Sequence, residues 1–191
     1  MRNNNKSKRK DSGQKIKSVF DYVQQIFRES AQLIRTLDKL MEKDWVSAYG
    51  GRITKEVTSD LNFPDYWLVE AIFRIYKSKK QNNIRKGITI VYWGESIDQP
   101  ILIGGTLDYY LDKKTGLPNK SDHWDIYYSW FEDGLKEKIS DGTPYDINYE
   151  SDGPRNYLKK GRFFALPLIE IRSEENVKSK IYEMLMKDSG N

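Results

Sequence analysis

The sequence predicts an α+β fold: an antiparallel sheet of about four strands with two amino-terminal helices and one carboxy-terminal helix packed mainly on one face. Two observations predict it. Apolar residues recur every three or four positions from Ser18 to Trp45 and again after Asn62, whereas from Ile88 onward the period shortens to two. The segments with period two follow one another without an intervening helix, the order of a hairpin-built sheet rather than of βαβ units. The chain has 191 residues, of which 38% are hydrophobic and 13% aromatic, enough for a single core.

The first helix carries Phe20, Val23, Phe27, Ile34, Leu37 and Met41 on one stripe, widened by Ile26, Leu33 and Leu40. With Ser30 these positions also fit an a/d seam, so a homodimer through this helix is one partner the pattern allows; a stripe this broad suits docking onto the protein's own core better. Tyr49-Gly50-Gly51 ends the element. A second helix is expected from Asn62, a capping residue with Pro64 in the first turn, to Lys77, burying Leu68, Ala71, Ile72 and Ile75 and pairing Glu70 with Arg74. The segment 77–86, KSKKQNNIRK, reads as a basic linker.

Strands are expected at Ile88–Glu95, Ile101–Tyr110, His123–Phe131 and Arg162–Ile171, with turns at 96–100 and 112–122. Pro167 lacks a ladder donor and places the fourth strand at an edge or on a bulge. The pair Gly104-Gly105 marks a bulge or a close approach of another group. A long polar excursion fills 132–160, and a last helix runs from Glu174 to Lys187 with Ser173 as its cap.

Charge is unevenly distributed. Residues 1–17 hold Arg2, Lys6, Lys8, Arg9, Lys10, Lys15 and Lys17 against Asp11, a net +6, and the chain total of +4 leaves the other residues at −2. With almost no apolar content, 1–17 reads as a basic flexible tail on a single α+β domain, 18–191. There is no cysteine and only one histidine, which excludes disulfides, thiolate chemistry, cysteine-ligated metals and the HExxH zinc motif. No GxGxxG, Walker lysine loop or GxSxG elbow occurs. The run from Asp146 to Gly153 alternates oxygen ligands like a calcium loop, but its glycine falls at position eight rather than six and no glutamate stands at twelve. No metal or cofactor is expected.

Strand alternation then assigns Trp93, Glu95, Thr106, Asp108, Asp125 and Tyr127, with His123 beside them, to one uncovered sheet face. Aromatic plates among hydroxyls and carboxylates suit a protein or small-molecule partner, and the first reading is a non-catalytic binding or accessory protein using this face. The second is a nucleic-acid or polyanion binder using Lys8, Arg9 and Lys10 of the tail with Lys79, Lys80, Arg85, Lys86, Lys159 and Lys160, and drawing also on Arg155 and Arg162. The third is a carboxylate-based hydrolase working through Asp108 and Asp125, or through His123 supported by Asp125. With no apolar span or secretory segment at the start, the expected location is cytoplasmic, without a membrane partner.

Overall fold

A computed structural model describes residues 3–55, 60–94, 97–132 and 142–187. The chain divides into two compact units, Met1–Thr36 and Leu37–Asn191. The first is helical from Asn3 onward, within helix α1 (Asn3–Met41), so helix begins inside the stretch read as a tail. Ser30 returns its hydroxyl to the Ile26 carbonyl at 2.9 Å along this helix.

The second unit holds the end of α1 and a seven-stranded antiparallel sheet. Its strands are β1 (Trp45–Ser47), β2 (Thr54–Lys55), β3 (Ala71–Ser78), β4 (Ile84–Val91), β5 (Ile101–Tyr109), β6 (Tyr145–Asn148) and β7 (Leu158–Pro167). They run in the order β1-β3-β4-β5-β7-β6, with β2 also on β3. The α+β class and the antiparallel sheet stand; the number and arrangement of the elements differ from expectation.

Four segments differ from expectation. The helix expected over 62–77 is mostly β3, preceded by a 3-10 turn at Pro64–Trp67. Ala71 to Tyr76 are buried on both faces of the sheet, and a strand covered on both sides shows an unbroken apolar run in which a helical spacing can be found by chance. The strand expected at His123–Phe131 is helix α2 (Asp125–Phe131): its aromatic residues favour strand locally, yet Ile126, Ser129 and Trp130 fall three and four apart and are the ones buried. The linker at 77–86 is the β3–β4 hairpin, and the polar excursion supplies the edge strand β6. Pro167 closes β7, where no ladder bond beyond it is lost.

Register assigns the faces. On one lie Ile72, Arg74, Tyr76, Lys86, Thr106, Asp108 and Phe164; on the other lie Phe73, Ile75, Thr89, Gly87, Gly105, Leu107 and Phe163. The first face takes Asp38 of α1 and the carboxy-terminal helix, which passes from Glu174–Asn176 through a π-helical stretch, Val177–Tyr182, to Glu183–Met186. Lys86 on this face donates to the Leu185 carbonyl. The second face takes α2. There the facing pair Gly87 and Gly105 clears room for Ile126, whose side-chain carbons stand 3.2 and 3.1 Å from where a Cβ on each glycine would sit. Helices therefore cover both faces, not mainly one, and the uncovered face expected from alternation is absent.

Candidate functional site

The residues expected to share one site are dispersed. Thr106 and Asp108 lie on the sheet face opposite α2, while Asp125 and Tyr127 belong to α2 itself. Asp108 stands across from Ile84 at one end of β4, and Trp93 lies two residues past Val91 at the other. Nine residues at about 3.3 Å each separate them by roughly 30 Å. Glu95 lies outside the described residues. Asp108 accepts from the Asn83 amide at 2.7 Å, and His123 Nδ1 is 3.0 Å from Asp122 rather than beside Asp125. The sheet separates Asp108 from Asp125, so the acid pair required for hydrolysis is not assembled.

The body's expected phosphate-binding array is also largely engaged within the fold. Lys79 donates to the Glu42 carbonyl at 2.6 Å and caps α1, Lys80 pairs with Asp44 at 2.7 Å, and Arg85 donates to the Asn82 and Ile84 carbonyls. Lys86 is buried over the Trp45 ring. Lys159 lies over Tyr110, Arg155 pairs with Glu132, Arg162 pairs with Asp146, and Lys160 is exposed opposite Asp108. Lys8, Arg9 and Lys10 lie in α1, where side chains are outside the described set.

What the fold does assemble is an aromatic shell around α2. Phe73 of β3 packs against His123 and Trp124, at centroid distances of 5.1 and 4.8 Å. Trp124 then contacts Tyr127 and stacks on Tyr128, and Tyr127 meets Phe131 at 4.5 Å. Tyr49, from the turn between β1 and β2, sets its ring edge-on to His123. Phe73 is fully buried, His123 through Tyr128 and Phe131 outside the core positions are half-buried, and Tyr49 is exposed. The helical turn alternates these rings outward with Asp125, Ile126, Ser129 and Trp130 inward.

Beneath the shell lies a polar network that fixes α2. Asp125 is completely buried and accepts from the Tyr109 hydroxyl (2.6 Å), the Tyr157 hydroxyl (2.7 Å) and the Asp122 amide (2.9 Å). Burial, then the Asp125 charge, pushes the Tyr109 phenol far above its ordinary range; burial and the bond to Asp125 do the same to Tyr157. One turn later Ser129 donates to the Asp125 carbonyl at 2.7 Å and lies 2.6 Å from the Tyr149 hydroxyl, while Arg155 donates to Ser129 and reaches Glu132. The excursion from 145 to 157 is thereby tied to α2. A carboxylate holding three donors is an anchor, and its lone pairs are engaged in holding the helix.

A second group of residues adjoins the shell. Among the described residues of the second unit, the exposed bulky apolar side chains concentrate between 46 and 68: Val46, Tyr49, Ile53, Leu61, Phe63, Trp67 and Leu68. The segment from Asp60 to Trp67 is ordered by its own bonds. Asp60 accepts from the Asn62 amide at 2.9 Å, and its carbonyl takes the Trp67 indole at 2.9 Å. Tyr49 meets the α2 layer through His123, and the far end of the stretch meets it at Glu70, which accepts from Tyr127 at 2.9 Å; beside it the Trp93 indole donates to the Val69 carbonyl. Tyr127, Trp93 and His123 thus do come close to one surface, at the β1/β2 edge. Alternation missed its other members because they lie in a turn-rich stretch with no period. The available signal was apolar bulk set among Asp60, Asn62, Pro64 and Asp65, residues that make turns rather than core.

Among the described residues no group of three or more histidines and carboxylates is placed to hold a metal ion. No family model, curated protein or solved structure matches this chain.

Proposed function

We propose that this chain is a non-catalytic binding protein that holds a protein partner against the β1/β2 edge, using the exposed apolar residues of 46–53 and 61–68 together with the aromatic shell of α2. One observation carries the reading: bulky apolar side chains stand open to solvent on the turn segment 60–67, which its own hydrogen bonds hold, with Leu61 81% and Trp67 50% exposed. Such residues expose several hundred Å², the scale of a functional patch on a monomer. Tyr and Trp bury large area for little loss of rotamer freedom and keep a polar end for the partner. The polar network under α2 supports the reading further, because a platform held rigid before binding loses less entropy on association. The carboxylate chemistry considered from sequence has no comparable support, since Asp108 and Asp125 lie on opposite faces.

The test is site-specific photo-cross-linking in the cells the protein comes from, with benzoylphenylalanine placed at Tyr49, at Phe63 and, as a control, at exposed Lys113. The expected result is one discrete adduct shared by positions 49 and 63, absent at 113 and lost when Leu61→Asp is added. No adduct at 49 and 63, or the same adducts from all three positions, overturns the proposal.

A further inference from the structure

We propose that the amino-terminal helix lies on an anionic lipid bilayer, its apolar stripe seated at the headgroup boundary and its lysines and arginines among the headgroups. The first argument is placement. Ile16, Val19, Phe20 and Val23 follow one another at three- and four-residue spacing on one side of α1, with Ser18, Asp21, Tyr22 and Gln25 on the other sides. Val19 is 61% and Phe20 56% exposed, and Ile16 is equally open. A bulky apolar stripe left in water on a long helix is a cost unless something covers it.

The second argument is charge, and it selects the occupant. The net +6 of residues 1–17 directly precedes and overlaps this stripe, whereas the remaining chain is at −2. Lys15 and Lys17 are exposed next to Ile16. Stable seating on a bilayer takes two signals, apolar insertion and attraction to acidic headgroups, and the amino-terminal stretch carries both within about six turns. Among the described residues no helix is long and apolar enough to cross a membrane, so the mode is lying on the surface rather than spanning it.

A second copy of the chain fits less well. The a/d seam through Phe20, Val23 and Phe27 continues to Leu37 and Met41, which are buried within the second unit. Continued toward the amino terminus it passes through Ile16 to Gly13 and Arg9, and a parallel pair would set two arms of +6 side by side. Nucleic acid accounts for the charge but leaves Val19 and Phe20 without a role, since phosphate contacts need only the cationic residues.

The full chain is mixed with vesicles of phosphatidylcholine alone, with vesicles containing added phosphatidylglycerol, and separately with a short duplex DNA. Expected is flotation with the anionic vesicles only, weakened by salt, and at least about a tenfold loss in a Val19→Ser/Phe20→Ser variant. Both positions are exposed, so the unfolding midpoint of that variant stays that of the parent. Four results overturn the inference: no anionic-vesicle binding, binding unchanged in the double variant, DNA binding without vesicle binding, or a dimer in sedimentation that the double variant abolishes.

Discussion

Removing the Asp125 carboxylate tests the account of α2 most directly. In Asp125→Ala three donors lose their acceptor: the Tyr109 and Tyr157 hydroxyls and the Asp122 amide. Tyr109 is 1% exposed and its hydroxyl is left dry, a penalty of about 2 kcal/mol for an orphaned buried donor. Tyr157 and Asp122 are half-buried and recover water, so each loses about 1 kcal/mol, the surplus of a charged bond over a hydrated one. The expected cost is about 4 kcal/mol, a large share of the stability of a domain this size. Asp125→Asn keeps one carbonyl acceptor and is expected to cost about half as much.

The sharper measurement is the cycle with Tyr109→Phe. In the parent that change removes one donor and costs about 1.5 kcal/mol; in the Asp125→Ala background it removes an orphaned hydroxyl and costs nothing or stabilises. Urea unfolding followed by tryptophan fluorescence gives all four free energies, provided the slopes agree. A loss below about 1.5 kcal/mol in Asp125→Ala, or equal cost of Tyr109→Phe in both backgrounds, refutes the network as the anchor of α2.

Two further outcomes follow from the same buried groups. Tyr76, Tyr109 and Tyr157 all titrate above the ordinary 10 of a tyrosine, burial being the main cause and the carboxylates of Asp38 and Asp125 the next. Above about pH 10 the unfolded chain releases protons that the folded one keeps, so stability falls as pH rises, by about 1.4 kcal/mol per pH unit for each of the buried Tyr76 and Tyr109 and by less for the half-buried, solvent-screened Tyr157. Urea midpoints taken on either side of that pH should drop steeply, and Tyr109→Phe should flatten the decline; a flat profile contradicts the buried phenols. Arg74 gives Asp38 a two-pronged bond (2.8 and 2.7 Å) and donates to the Gly50 and Arg52 carbonyls at 2.8 Å. Arg74→Lys offers one point charge for this fork and is expected to cost about 3 kcal/mol in urea unfolding, a change below about 1 kcal/mol counting against it.

Features that depend on near neighbours along the chain are legible in the residues alone. These are a long amino-terminal helix, expected to Trp45 and ending at Met41, an antiparallel strand pair, expected at Ile88–Glu95 and Ile101–Tyr110 and formed by Ile84–Val91 and Ile101–Tyr109, the carboxy-terminal helix capped by Ser173, and the concentration of positive charge before the first apolar stripe. Each rests on a local rule, of period, cap or composition, that needs no knowledge of what packs where. The identities of β3 and α2 instead depend on what packs against them. Burial on both sides hides the alternation of Ala71–Tyr76, and the seat of Ile126 over Gly87 and Gly105 makes a helix of a segment whose residues prefer a strand.

The candidate surface followed the same division. Alternation puts Asp108 and Asp125 together only if residues 123–131 are a strand; once that segment is a helix on the far side of the sheet, one acid becomes a buried anchor and the other a half-buried neighbour of Asn83. The proposed surface draws on Tyr49 and Tyr127 from separate stretches, joined to the α2 layer by Tyr49 on His123 and to residue 70 by Tyr127 on Glu70. Proximity between residues this distant along the chain is set by packing and strand register, which no local pattern encodes.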